Sequence, residues 1–260
     1  MDANTSNVKG VIIGLLLGLF MSALDQTIVS TAMPTVIESL GGLDKFIWVY
    51  SAYLIAMVVA TPIFGKLSDM FGRKRFFMAG LVLFIVGSML CGVAQTMEQL
   101  IVFRAVQGIG GGAIMPIVFT IIFDIFPAEK RGKMTGLFGA VFGLSSVLGP
   151  ILGAYITDHI HWRWIFYINA PIGIASLFII WRAYREVSSK RKQSIDWIGA
   201  ITLTVAILCL MFALELGGTD GWAWNSAGIV VLFAGAAAAF AVFLFAETKA
   251  KEPIVPLGLF

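Results

Sequence analysis

Charge is scarce in this sequence. Only 13% of its 260 residues are Asp, Glu, Lys or Arg, against 59% hydrophobic, and the mean hydropathy is +0.92. A soluble domain of this length needs far more polar surface, so the composition implies a chain embedded in lipid. Cysteine is nearly absent. Cys91 and Cys209 each lie inside an apolar run with no C-x-x-C spacing, so neither a disulfide nor a thiolate metal site is expected. Histidine is as rare: His159 and His161 form an H-x-H with only Asp158 beside it, a poor ligand set for a metal. No metal and no other cofactor is expected. The net charge of +3 resides in short loops between apolar runs rather than on one amphipathic face, which argues for membrane topology and against a nucleic-acid partner.

What the sequence has in abundance is long apolar runs. Spans of roughly 20 apolar residues place eight membrane helices at 10–33, 46–64, 76–95, 97–123, 134–156, 164–182, 197–215 and 226–246. The first follows Lys9 as a signal peptide would, but no small-x-small cleavage site stands at Ser22-Ala23-Leu24, so it reads as an uncleaved span. With the N-terminus inside, fifteen of the 18 Lys and Arg fall in cytoplasmic segments, two (Lys45 and Arg163) fall outside, and Arg104 lies within a span. That bias makes this a multi-pass protein of the cell membrane with a cytoplasmic amino terminus. Trp48, Trp162, Trp164, Trp222 and Trp224 then lie at outer ends, as an interfacial belt.

The division that follows is a six-helix amino-terminal bundle over 1–182, a cytoplasmic linker over 183–196, two further helices over 197–246, and a new segment beginning at 247–260. An apolar stretch is starting at Glu252 to Phe260, so the expectation is an incomplete chain.

Three groups of residues carry chemistry. Asp25 and Arg104 are ionisable groups at mid-span, where insertion costs on the order of 2.5–3.5 kcal/mol each, so each is expected to face a cavity or a partner. An exit of the first helix at Pro34 puts Asp25 roughly 13 Å below the outer end, and a start of the fourth helix at a Thr96/Gln99 capping box puts Arg104 about 12 Å below it. They are thus expected to meet, either as a proton switch whose carboxyl responds to conformation or as a permanent ion pair that holds two helices together. Gln107, Gly108 and Gly111 share Arg104's face.

The second group lies at the cytoplasmic end, where Gly65 to Arg75 reads as a tight turn shaped by Gly65 and Gly72. Asp69 and Arg73 in that turn, joined by Asp124, form a candidate latch, whereas Lys66, Lys74 and Arg75 read as topological anchors.

The third group is small residues. Gly14/Gly18, Gly108/Gly112, Gly139/Gly143 and Gly149/Gly153 are spaced for close helix contacts. Pro150 amid glycines permits either a fixed kink or a hinge. Gly108 to Ala113 matches a dinucleotide fingerprint as text but lies inside a span with no strand before it, so a nucleotide site is discarded. No usable catalytic constellation appears, so an enzyme is not expected.

Several stretches together resemble the major facilitator superfamily, and within it the drug:proton antiporters with fourteen transmembrane helices. They are Gly65 to Arg75; Leu24 to Pro34; Leu100 to Gly112; the fifth helix with Gly136, Ser145, Gly149, Pro150 and Gly153; Trp162 to Gly173; and the pairs Asp196-Trp197 and Glu252-Pro253. Departures occur at Met70, Ser145, Ala154 and Ser30-Thr31. The resemblance implies an all-α polytopic fold, one six-helix bundle plus two extra helices, with the second bundle absent. It implies proton-coupled export of hydrophobic drugs or cationic dyes by alternating access, Asp25 and Arg104 coupling protons, and Asp69, Arg73 and Asp124 gating the inner side. It also implies the glycine-rich fifth-helix motif of antiporters. Its partners would be a lipophilic small molecule, protons, the bilayer and the missing carboxy-terminal six-helix half. Met21, Gln107, Met115 and Phe142, with other Met and aromatic residues, are candidates to line an adaptable apolar cavity, lipid contact or core packing being the alternative. A reading of a different class is an accessory or inactive membrane subunit without transport of its own.

Overall fold

The computed structural model describes residues 7–186, 196–218 and 222–249. These form two units, Met1–Ser188 and Ser189–Phe260. The first holds α1 (Val8–Leu40), α2 (Phe46–Phe71), α3 (Arg73–Val93), α4 (Met97–Ile125), α5 (Ala128–His159), α6 (Trp164–Tyr167) and α7 (Asn169–Ala183). The second holds α8 (Trp197–Leu216) and α9 (Ala227–Lys249), which pack against each other. Among the described residues eight segments are long and apolar enough to cross a membrane, α6 and α7 together making one of them. Helices of this kind satisfy every backbone group internally, which a span in hydrocarbon requires. The chain is a multi-pass membrane protein.

Several helices run further than the sequence suggested. α1 passes through Pro34 to Leu40, and α2 passes through Pro62 and Gly65 to Phe71. Proline removes one helical hydrogen bond. Nearby hydroxyls bond back to main-chain carbonyls in both helices, Thr31 Oγ1 to the Thr27 carbonyl at 3.3 Å and Thr61 Oγ1 to that of Met57 at 2.8 Å. Side-chain bonds of this kind help membrane helices tolerate proline. The expected eleven-residue turn after α2 is therefore one residue: Gly72, at φ 113°, separates α2 from α3. Gly65 is helical, so it does not shape the turn. α5 likewise continues through Pro150 as a single helix.

Inside the first unit α4 lies against α2 on one side and α3 on the other, and α1 lies against α5 and α7. Glycines allow this approach. A Cβ on Gly112 would stand 2.5 Å from the Met57 carbonyl oxygen on α2, and one on Gly87 of α3 would stand 2.6 Å from Gln107 Cα on α4. Gly14 packs on Ile180 of α7, and Gly149 and Gly153 pack on Thr27 and Ile28 of α1. Gly139 and Gly143 depart from the expected pattern, since each has open space where a Cβ would project.

Two apolar clusters fill the unit. One gathers Leu15, Leu19, Phe77, Phe84, Ile117 and Ile180 towards the Asn7 end, and the other gathers Ile28, Val36, Val49, Leu100, Ile165 and Phe166 towards the Leu40 end. Asp25 falls between the two clusters along α1, and Arg104 falls between them along α4.

Candidate functional site

Five helices bring polar side chains to this level. Asp25 comes from α1, Tyr53 from α2, Ser88 and Cys91 from α3, Arg104 and Gln107 from α4, and Asn169 from α7. The Asp25 and Arg104 side chains are 0% and 1% exposed. Burying such ions costs several kcal/mol each unless geometry and hydrogen bonding repay it. Here they do. Arg104 NH1 donates to Asp25 Oδ2 at 2.6 Å and to Gln107 Oε1 at 2.7 Å. Asp25 Oδ1 accepts from Gln107 Nε2 and Asn169 Nδ2, both at 2.8 Å. Arg104 Nε reaches the Val49 carbonyl at 3.4 Å, and its guanidinium stands 4.1 Å from the centre of the Tyr53 ring. Cys91 Sγ lies 3.7 Å from Gln107 Oε1. The carboxylate thus accepts three donors, one of them charged, and the cation is shared among a carboxylate, an amide oxygen, a carbonyl and an aromatic face.

The meeting of Asp25 and Arg104 was anticipated, but on a wrong helix end. α1 continues to Leu40, so Asp25 lies about 22 Å from the end of its helix, while Arg104 lies about 10 Å from the start of α4. The pair shares one level because α1 runs on past the start of α4, not because the two residues lie equally far from their helix ends. The start of α4 is as read: Thr96 Oγ1 accepts the Gln99 N–H at 3.3 Å, and Gln99 Oε1 accepts the N–H of Gln95 at 2.9 Å. Asn169, Ser88, Tyr53 and Cys91 were given no role from sequence. The available signal was a polar or ionisable group inside an otherwise apolar span.

A second cluster sits at the Asn7 end. Arg73 pairs with Asp124 and, at 3.2 Å, with Asp69, and donates to the Thr120 carbonyl at 3.1 Å. The three residues singled out in sequence are thus together. Lys74 was expected only to anchor the loop. Instead its Nζ donates to the carbonyls of Trp181 at 2.7 Å and Tyr184 at 2.5 Å, satisfying the open end of α7. Glu186 Oε1 accepts the Lys74 N–H at 3.3 Å, and its carboxylate occupies the space beside Gly72. Burial raises the pKa of the Tyr184 phenol here, with Glu186 adding to the effect. At the opposite end Lys45 meets Glu98 at 2.5 Å, and that hydrogen bond raises the Lys45 pKa.

Other predicted positions divide. On α5, Ser145, Gly149 and Gly153 are buried on the stripe that meets α1, where the Ser145 carbonyl accepts Thr27 Oγ1 at 3.0 Å. Gly136 and Pro150 are exposed. Met21 and Gln107 are fully buried, whereas Met115 and Phe142 are 45% and 37% exposed, so the four do not line one cavity within this unit. Trp162, assigned to the interfacial belt, is 2% exposed, with the Arg163 guanidinium 4.4 Å from its ring centre. It belongs to the core because Arg163 is drawn inward to the Ala94 carbonyl at 2.8 Å.

The profile of the Major Facilitator Superfamily matches residues 15–251. The chain belongs to that superfamily. It is 61% identical over 263 residues to Multidrug resistance protein 3 of Bacillus subtilis (strain 168), covering 100% of this chain and 51% of the relative. It is 44% identical to Multidrug transporter protein MdtP of the same organism, over 96% of this chain and 46% of that protein, and 38% identical to the efflux pump dotC of Dothistroma septosporum, over 96% and 43%. The chain therefore spans about half the length of these relatives. The human organic anion transporter MFSD10 shares its fold at a TM-score of 0.63 with 17% identity, over 86% of this chain and 59% of that one. A D-xylose-proton symporter does so at 0.62 with 16% identity, over 92% and 67%. The fold of the major facilitators thus accommodates the chain as a single half-bundle.

Proposed function

We propose that this chain is the amino-terminal half of a proton-coupled antiporter that exports hydrophobic drugs or cationic dyes by alternating access, of the fourteen-helix type. The names of the relatives support the substrate class. Their greater length supports a partner half of six further helices, and the division of domains at 182, 196 and 246 follows that plan. The Lys and Arg bias supports a cytoplasmic amino terminus in the cell membrane.

The observation that carries the reading is the buried Asp25–Arg104 pair, held by Gln107 and Asn169 between two apolar layers. A fixed structural pair at this depth is an expensive device, because well-packed apolar residues often serve stability as well or better. A carboxylate that is ionised beside its arginine and neutral when protonated gives that cost a use. When a proton arrives on Asp25, the charge attraction holding α1 to α4 disappears and Arg104 must find new partners. Binding of a lipophilic cation and binding of a proton can then alternate in one cavity between the halves. Met115 and Phe142, exposed on α4 and α5, are proposed to face that shared cavity, with Met21 and Gln107 behind them. Asp69, Arg73 and Asp124 are proposed to latch the cytoplasmic side.

The test is Asp25→Asn in the full-length transporter, reconstituted in vesicles with an imposed pH gradient. Efflux of a lipophilic dye driven by the gradient should fall to background, with membrane insertion intact. Undiminished efflux removes Asp25 from the coupling.

A further inference from the structure

The sixth span is interrupted. Its helix lapses at Ile168, between α6 and α7. The weakness is local: Pro171 has no N–H for the Tyr167 carbonyl, while Ile168 keeps helical φ −60° and ψ −25° and its N–H reaches the Trp164 carbonyl at 3.0 Å.

Asn169 is the first residue of α7 and is wholly buried. Its Nδ2 donates to Asp25 Oδ1 at 2.8 Å and to Ser88 Oγ at 2.9 Å. Ser88 Oγ donates in turn to the Phe166 carbonyl at 2.8 Å, on the other side of the lapse. A run of hydrogen bonds therefore leads from the carboxylate to both sides of the interruption. Asn169 Oδ1 is buried and has no hydrogen-bond partner.

We propose that Asn169 is a positioning residue that ties Asp25 to the interruption of the sixth span, so that the protonation of Asp25 governs how firmly α6 and α7 are held in line. The switch rests on Asp25 being the proton-bearing group. While Asp25 is ionised, its bond from Asn169 is charge-assisted and roughly twice as strong as a neutral one. Addition of one proton to the carboxylate turns an acceptor into a donor, and no other bond is made or broken covalently. The new O–H needs an acceptor. Arg104, Gln107 Nε2 and Asn169 Nδ2 all present donors, and Gln107 Oε1 already serves Arg104. Among the side chains already bonded to Asp25, the unfilled acceptor is Asn169 Oδ1. Rotation of that amide brings Oδ1 to the Asp25 O–H and also beside Ser88 Oγ, so the Ser88 hydroxyl turns to donate to Oδ1 and releases the Phe166 carbonyl. The charged and titratable groups around this centre are Arg104 from α4, Tyr50 and Tyr53 from α2 and Cys91 from α3, while α7 presents the neutral Asn169 and α5 the neutral Ser145 and Gly149.

The measurement is hydrogen–deuterium exchange of the full-length transporter in lipid nanodiscs, read on peptides across 163–173. Asn169→Ala should speed exchange there by about tenfold, the scale of one hydrogen bond to a charged group, with α4 and α9 unchanged. Asp25→Asn should do the same, and the double variant should add nothing further. Ser88→Ala, which leaves all three donors to Asp25 in place, should also loosen the segment and serves if Asn169→Ala does not fold. Unchanged exchange in both Asn169→Ala and Ser88→Ala, additive effects of Asn169→Ala and Asp25→Asn, or a uniform loss over all helices would overturn the tie. Lowering the pH should loosen the segment in the parent, after correction for intrinsic exchange, but not in Asp25→Asn. Non-additive variants with no pH response would keep the positioning role and remove the proton reading of Asp25.

Discussion

Arg73 and Lys74 are neighbours of equal charge with different work. Arg73 joins Asp69, Asp124 and the Thr120 carbonyl, linking α2, α3 and α4, while Lys74 closes the end of α7. The carboxylates of Asp69 and Asp124 are about half exposed, so each pair is worth only ~0.2–1 kcal/mol. If these residues latch the cytoplasmic side, as proposed, their sum suffices to bias two states that differ by a few kcal/mol. Arg73→Ala in the full-length transporter should slow dye efflux by roughly 2–30-fold, the range that the loss of two such pairs represents. Arg75→Ala removes equal charge from an exposed position and should leave efflux within twofold. Lys74→Ala should show its effect as a lowered melting temperature rather than as slowed efflux. Equal losses of efflux for Arg73→Ala and Arg75→Ala would mean that the segment acts through topology alone.

At the scale of helices, packing is set by where a side chain has no room. Gly110 of α4 lies against the backbone of Phe84 and Gly80 on α3, and main chain cannot rotate away as a side chain can. Gly139 of α5 is spaced with Gly143 for a close contact in sequence yet has open space in the structure. Gly110→Ala should therefore lower stability by about 1–3 kcal/mol, the cost of overpacking, whereas Gly139→Ala should be neutral or slightly stabilising through better helix propensity. Melting curves of the two variants in the same detergent check this, and a Gly139→Ala melting temperature as low as that of Gly110→Ala would refute the assignment of contacts. The spacing of small residues announces that a close contact is permitted. It does not say which helix accepts it.

The most exposed helices of the first unit bear on the whole molecule. Within the membrane windows α1 is 61% buried, whereas α2 and α5 are each 22% buried. Faces of this kind are consistent with a second half packing on them, in line with relatives about twice as long. The 260-residue chain expressed alone in cells lacking other exporters should insert but leave dye accumulation unchanged. Co-expression with a fragment carrying the remaining six helices should restore efflux. Efflux by the chain alone would mean that two copies assemble into a working transporter, and the half-transporter reading would fail.

Hydropathy alone determined the eight spans, because burial in lipid leaves a continuous trace along each helix. Asp25 and Arg104 were legible for the same reason: an ion in an apolar span is costly wherever the fold puts it. Helix ends were less legible, since Pro34, Pro62 and Gly65 read as helix ends yet lie inside α1 and α2, where hydrocarbon favours keeping every remaining helical bond. Beyond the Asp25–Arg104 pair and the Asp69–Arg73–Asp124 cluster, partners were not legible. That Asn169 would reach Asp25 across 144 residues, that Lys74 would close α7, and that Trp162 would turn inward depend on which helix faces which. A sequence that is apolar on all sides of every helix carries no amphipathic stripe to orient it, so only the tertiary packing, through glycine-lined contacts and matched polar groups, could decide those faces.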